Sequence, residues 1–542
     1  MFSKTIFILL LYLIHTLNYG LCERILAIFP VPSKSNSIIG ETLVRELKSH
    51  GHQITYVTPY RMREGSEAVQ EIFIDGTVAF ARNEEYLKEL HQPHSVLETI
   101  TQSIFGSAEL VNFTLSHKEV QKLLRSDASY DLLIVDSFMM DALLGFANHY
   151  KVPSVVVCTT ASNKWTDELV GNPYNPAYSP NLFLGSSNKM TFTERIVNAL
   201  LSLFVEISYQ YLYLPAQEAL YQRFFAPLQP KDVKLPSLED LIHNVSSVFV
   251  NSHPGFHYPR ALMPNIVEIG GIHIREPKKL PADVDRLYTL ATGGVIVLTL
   301  GSTTRSKDMQ KEKRDAFNRV FKEMPDVGIF WKWEDAQMPG QVDNVIIGPW
   351  LPQFDLLMFG NNTKLLITDG GISSIYEAIF SGTPVLGIPM HGDQHFNMRL
   401  AEEAGFGRTL RYDTLTEDII REAVVDMLKN ETYRRNAERV SRQMQDNPLS
   451  VKEKAMHSIE MILRTGGARH LRSPSLDLSI WQLYLVDVTL CIVAGCVLIL
   501  AIPAAIIGIV LRRSNRPSQS VINGDTKRTE KSSRSDNSKK EK

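Results

Sequence analysis

Short, mostly apolar runs alternate along much of the chain with amphipathic stretches of about 10 to 15 residues. Residues 24–29 (RILAIF), 53–58 (QITYVT), 131–135 (DLLIV), 153–158 (PSVVVC) and 247–250 (SVFV) have strand length and little polar interruption, as strands buried on both faces of a parallel sheet require. Between the first two, residues 38–48 place Ile39, Leu43 and Leu47 on one helical face, and Gly51 ends the helix. A second series starts near Gly294 with VIVLTLGS and continues through a helix over 307–323, IFWKW at 329–333, NVIIG from Asn344, KLLIT from Lys364 and PVLGIP from Pro384. The pattern predicts an α/β protein of two doubly wound units, joined at the Pro-bounded segment 277–281 (PKKLP). Residues 174–235, rich in Tyr, Phe and Leu, break the beat and read as a helical insertion over the first unit. Open α/β sheets bind ligands outside the carboxyl ends of their strands, so two facing units imply a cleft built from strand-end loops.

The ends of the chain follow different rules. Lys4, the apolar run 6–14 and the small residues before Cys22 have the order of a secretory signal, placing cleavage near residue 22. Residues 488–511 contain no charge over 24 positions, enough to cross a hydrocarbon layer of ~30 Å, and Pro503 is tolerable in such a helix. Asp487 precedes this run and Arg512-Arg513 follow it, which predicts a single pass with a cytosolic tail and a lumenal body. The polar tail reads as disordered, and Lys539 and Lys540, near its end, resemble a dilysine address for the endoplasmic reticulum; a basic flank attracted to anionic lipid is the alternative.

Composition narrows the class. With 542 residues, 44% apolar and 21% charged, the chain has room for two cores and is neither a disordered nor a multi-span membrane protein. The formal charge of −2 offers no field for nucleic acid, and none is expected as a partner. Residues 512–542 hold ten basic and four acidic side chains, a tail of +6 that leaves −8 on residues 1–511. Of four cysteines, Cys22 borders the signal and Cys491 and Cys496 fall in the apolar run, so Cys158 stands alone in the body and a large core must replace disulfide staples. Sequons at Asn112, Asn244, Asn361 and Asn430 fit a lumenal body.

Three strand-end loops of the second unit invite chemistry: LGSTT at 300–304, GPW at 348–350 and TDGGISS at 368–374, the last opening a helix that carries Glu377. A Gly-Gly pair at a helix N-terminus lets backbone N–H groups approach a phosphate, and the helix dipole favours the anion. A tight turn capped by Asp369 or Ser373 would use the same residues. The whole run 350–397, WLPQFDLLMFGNNTKLLITDGGISSIYEAIFSGTPVLGIPMHGDQHFN, resembles the donor-binding signature of the UDP-glycosyltransferase family. FPVPSKSNS at 29–37 and ARHLRSPSLDLSIWQLYLVDV at 468–488 resemble the first loop and pre-anchor segment of its animal membrane-bound, UDP-glucuronosyltransferase-like branch.

The resemblance implies a GT-B fold of two facing Rossmann-like domains. An acceptor-binding domain would cover 23–280 and a UDP-sugar-binding domain 281–470, followed by a membrane-proximal segment at 471–487, a transmembrane helix at 488–511 and a cytosolic tail. It implies transfer of a hexosyl group, glucose or glucuronic acid, from a UDP-sugar to a small lipophilic acceptor in the endoplasmic reticulum, in the service of detoxification. No metal or cofactor beyond the co-substrate is expected, and homo- or hetero-oligomers with related transferases are. Carried over by position, Trp350 stacks on uracil, Gln353 holds the base and Glu377 accepts from ribose hydroxyls. Ser302, Gly371 and Ser373 line the diphosphate with Arg260 as a further cation, and Asp393 and Gln394 bind the sugar. An aromatic plane suits a base, a carboxylate a diol, and N–H groups a phosphate. Trp350 in a core and Asp393 as a helix cap are the structural alternatives.

Three positions depart from the signature. The family's general base, a His in the loop after the first strand, is Asn36, which has no basic lone pair, while the base's orienting partner is kept as Asp136. The His expected to donate to the diphosphate is Asp369, and the Asn after the Gly pair is Ser373. A carboxylate about 4 Å from a phosphate costs on the order of 4 kcal/mol at an effective dielectric of ~20, roughly a thousandfold in donor affinity, unless a cation bridges the two. Two readings follow: a transferase with weakened machinery that favours amine acceptors, or a silent relative that binds lipophilic ligands or pairs with active transferases.

Overall fold

The computed structural model describes residues 22–62, 69–81, 95–230, 232–302, 304–359 and 362–515. The expected signal, the dilysine tail and Asn361 lie outside the described residues. The chain forms two compact units, residues 1–476 and 477–542.

Within the first unit, β1 (Arg24–Ile28), β2 (Gln53–Thr58), β3 (Val69–Phe73), β4 (Leu132–Asp136), β5 (Ser154–Cys158), β6 (Ser247–Val250) and β7 (Ile266–Glu268) make a parallel sheet in the order β3-β2-β1-β4-β5-β6-β7. A second parallel sheet holds β8 (Val295–Thr299), β9 (Gly328–Lys332), β10 (Val345–Gly348), β11 (Thr363–Thr368), β12 (Val385–Gly387) and β13 (Gly407–Thr409) in the order β10-β9-β8-β11-β12-β13. Every residue of β4, β5, β6 and β8 is buried, which explains their near-continuous apolar sequences. The strand order reverses between β1 and β4 and between β8 and β11, the two points where such sheets open a ligand crevice.

Two features differ from the pattern-based expectation. The first helix spans Lys34–Ser49, four residues longer at its start than the apolar stripe, because its opening turn is polar and is closed by the Ser37 N–H donating to the Ser33 carbonyl at 3.0 Å. Asn36 therefore sits in the first helical turn and not in a loop. The helix Val451–Thr465, expected in the second domain, returns to the first sheet: Met456, Ile459 and Ile462 pack with Ile25, Ile54 and Phe249, and Lys452 pairs with Glu46 at 2.7 Å. The 174–235 insertion is helical, with helices Phe192–Ser208 and Leu214–Phe225 joined by a π-helical turn, Tyr209–Tyr213. In the second unit a 29-residue helix, Val486–Ser514, contains Pro503 and is long and apolar enough to cross a membrane.

Candidate active site

Loops from the carboxyl ends of both sheets line one groove. Two cavities of about 210 and 260 Å³ share Ser35, Gly301, Ser302, Ser373 and Ser374 and so run into each other. The sheet ends meet here: Ser302 Oγ lies 3.2 Å from both Ser33 Oγ and Ser35 Oγ. Gly301 has φ +76°, and a Cβ on it would fall 2.4 Å from Asp369 Oδ2, so only glycine lets the β8 and β11 loops close on each other.

At one end stand Trp350, Gln353 and Glu377. Trp350 is 40% exposed and carries the Lys34 ammonium 4.0 Å above its ring, so it is no core residue. Gln353 Nε2 donates to Glu377 Oε2 at 2.6 Å and to Ser374 Oγ at 3.1 Å. Burial pushes the Glu377 carboxyl up to about 7, with the Gln353 amide opposing it. His273, with Nε2 at 3.9 Å from Glu377, is pushed down to about 4 by its own burial and is neutral; it faces the Ser373 carbonyl at 3.2 Å.

In the middle, residues Ile372, Ser373 and Ser374 open the helix Ile372–Ser381, whose first N–H groups lack intrahelical partners. Asp369 lines the groove, but its carboxylate is satisfied internally. Oδ1 accepts the Gly371 N–H at 3.1 Å and the Thr368 hydroxyl at 3.2 Å, and Oδ2 accepts from Gln394 Nε2 at 2.8 Å. The Gly371 N–H expected at the diphosphate is thus already engaged. Burial raises the pKa of Asp369, with Lys332 acting against the rise.

At the far end, Gln394 is not turned toward a sugar: its Oε1 accepts from the Met390 and His391 N–H groups at 2.9 and 3.0 Å, and its amide braces Asp369. Asp393 faces the cavity, makes no cap bond to its helix, and is pushed up to about 6 by burial and by neighbouring Asp369. Asn36 Nδ2 donates to Thr159 Oγ1 at 2.8 Å. Asp136 ends β4 fully buried with neither carboxylate oxygen hydrogen-bonded; Asn36 and the Phe138 N–H lie near enough to temper its rise to about 7, which burial causes.

Arg260 requires a correction. Its guanidinium pairs with buried Asp167 and donates to the Ser162 carbonyl at 2.8 Å, and it does not line the groove, so the contact pattern of its own domain removes it from the diphosphate. Among the described residues the cations that do line the groove are Lys34, Arg61, Arg275 and Lys332; Lys332, at the end of β9, donates to the Gly301 carbonyl at 3.0 Å and to Glu334 at 2.7 Å. A lysine ending the apolar run IFWK was the available signal. His273 and His391 also line the groove, and sequence reasoning passed over both.

The model of the UDP-glucoronosyl and UDP-glucosyl transferase family matches residues 30–516. The chain belongs to this family. It is 31% identical over 485 residues to UDP-glucosyltransferase 2 of Dactylopius coccus, covering 87% of this chain and 90% of that one. It is 26% identical over 462 residues to human UDP-glucuronosyltransferase 1A10, covering 83% and 84%. Among solved structures, the glycotransferase of kitacinnamycin superposes with a TM-score of 0.55 at 19% identity, covering 82% of this chain and 99% of that one, and shares the fold. The two sheets are those of a GT-B glycosyltransferase, and membership of the family implies binding of a UDP-sugar donor and an acceptor.

Proposed function

We propose that this family member transfers a neutral hexose, and not glucuronic acid, from a UDP-sugar to a small lipophilic acceptor whose nucleophile is an amine. The observation that carries the sugar preference is the far end of the groove, where Asp369 and Asp393 are part of the lining and, among the described residues, no Lys or Arg is. A sugar carboxylate there would meet two acidic groups and no counter-ion, whereas hydroxyls would find acceptors. The name of the Dactylopius relative, a glucosyltransferase, is in keeping with this. The amine preference follows from Asn36: a neutral amine attacks without losing a proton first, and a hydroxyl needs a base that Asn36 cannot be. Lys332, Ser302 and the first turn at Ser373 and Ser374 are the groups proposed to hold the diphosphate. The helix Val486–Ser514 is proposed to anchor the protein in the endoplasmic-reticulum membrane with the body lumenal.

The engagement of the Gly371 N–H and of Gln394 by Asp369 favours a second reading, a silent member that binds lipophilic ligands. Calorimetric titration with UDP, with and without Mg²⁺, followed by transfer assays pairing UDP-glucose or UDP-glucuronate with an arylamine or a phenol, separates the two. Transfer of glucose to the amine is expected. Preference for glucuronate would overturn the sugar assignment, and failure to bind UDP at all would establish the silent reading.

A further inference from the structure

The plane of Trp350 faces the groove, and the group that lies on it comes from the other sheet. Lys34, the first residue of the helix Lys34–Ser49 that follows β1, sets its ammonium 4.0 Å from the centre of the indole. An exposed indole in a groove is a platform on which a flat heterocycle stacks, and base–aromatic stacking tolerates any base because every base has a π-face. One ring face cannot hold an ammonium and a nucleobase together. A ligand that stacks on Trp350 from the groove must therefore displace Lys34.

The position of Lys34 in its helix is costly without an anion. A cation in the first turn opposes the helix dipole, and that turn contains no acidic side chain to offset it. Lys34, Ser35 and Asn36 of this turn all line the groove, so its positive end and its lysine address the same space. The residues on either side of Lys34 are placed against the β8 loop: Ser33 Oγ and Ser35 Oγ each lie 3.2 Å from Ser302 Oγ. The backbone of Lys34 is thereby held beside Ser302, and its long flexible stem lets the ammonium turn from Trp350 toward that serine. The groove needs such a charge. Asp369 engages the Gly371 N–H and brings a carboxylate to the lining, so less of the neutralisation of a diphosphate comes from the second sheet.

We propose that Lys34 is a nucleotide-exchanged plug: its ammonium covers Trp350 in the empty groove, yields the ring to the base when a nucleoside diphosphate enters, and pairs with the diphosphate beside Ser302. The proposal rests on the reading of the groove as a UDP-sugar site and adds a ligand from the acceptor-binding half. It gives the groove a means of refusing ligands that carry a base alone. A nucleoside displaces the ammonium into water with no return, whereas a diphosphate recaptures it through a charge-assisted contact. Discrimination between nucleotide and nucleoside then resides in one side chain.

The test is calorimetric titration of the full chain in detergent micelles with two probes, uridine, which has a base and no phosphate, and UDP. Lys34→Met is expected to tighten uridine binding about threefold, the worth of a cation on an exposed ring. The same change is expected to weaken UDP binding about tenfold, the worth of a charge-assisted contact. Lys34→Arg, able to cover the ring and to pair with phosphate, is expected to keep both affinities near those of the unaltered protein. The two shifts must be opposite in sign. A uridine affinity that fails to rise, or a UDP affinity that fails to fall, overturns the proposal, and a residue that merely shaped the groove would weaken both probes together. If UDP does not bind the unaltered protein at all, the reading of the groove as a donor site falls first and the proposal with it.

Discussion

Asp136 is the residue at which the proposed chemistry is most exposed to measurement. Its carboxyl is buried without a hydrogen bond and titrates at about 7, against ~3.9 for a free Asp. Between these values the folded chain holds a proton that the unfolded chain has lost, so stability falls as pH rises from about 4 to about 7 and levels off above. Asp136→Asn removes that loss: urea unfolding is expected to show equal stability near pH ~4 and an advantage of up to about 4 kcal/mol above pH ~7. An advantage at every pH would mean that packing, not ionisation, had changed. The same carboxylate is the orienting group a base at position 36 would need. Asn36→His places an imidazole beside it, and transfer to phenols is expected to rise at least tenfold over the unaltered protein, within the ~10² to 10⁴ that a positioned base supplies. Rapid phenol transfer by the unaltered protein would show that another group takes the proton.

At the scale of elements, the groove depends on how closely two strand-end loops approach. Gly301→Ala would set a Cβ 2.4 Å from Asp369 Oδ2 at a backbone angle of +76°. A loss of about 1 kcal/mol in stability is expected, with a fall of roughly tenfold or more in UDP affinity because Ser302 and Ser373 are forced apart. Unchanged UDP affinity would place the diphosphate elsewhere. The strands that form the crevice were legible because they are buried on both faces, as LLIVD and VIVLT are. The outer strands β3 (VQEIF), β7 (IVE) and β13 (GRT) escaped notice because edge position leaves them partly exposed and two of them are only three residues long. Trp350, Gln353 and Glu377 were legible from a contiguous motif. Lys332 and the Arg260–Asp167 pair were not, since each owes its role to a partner 31 or 93 residues away that no local pattern marks. The Lys34–Ser49 helix shows the same limit: its first turn is fixed by backbone hydrogen bonding, to which an apolar periodicity is blind.

For the whole molecule, topology decides which chemistry surrounds the body. The proposed lumenal placement of the body rests on Asp487 before the apolar helix and Arg512-Arg513 after it, the charge asymmetry that orients single-pass chains. A lumenal body meets the glycosylation machinery, and the sequons are not equally presented to it. Asn244 and Asn430 are exposed. Asn112 lies within the helix Val96–Ser116, is half-buried, and accepts from Arg223 at 3.2 Å, so its amide is held against a neighbouring helix. The expected outcome in cells is that Asn244→Gln and Asn430→Gln each remove one glycosidase-sensitive step on a gel, while Asn112→Gln removes none. Modification at Asn112 would mean that glycans are added before the Arg223 contact forms. A body with no glycan at any site would place it in the cytosol and reverse the orientation of the span.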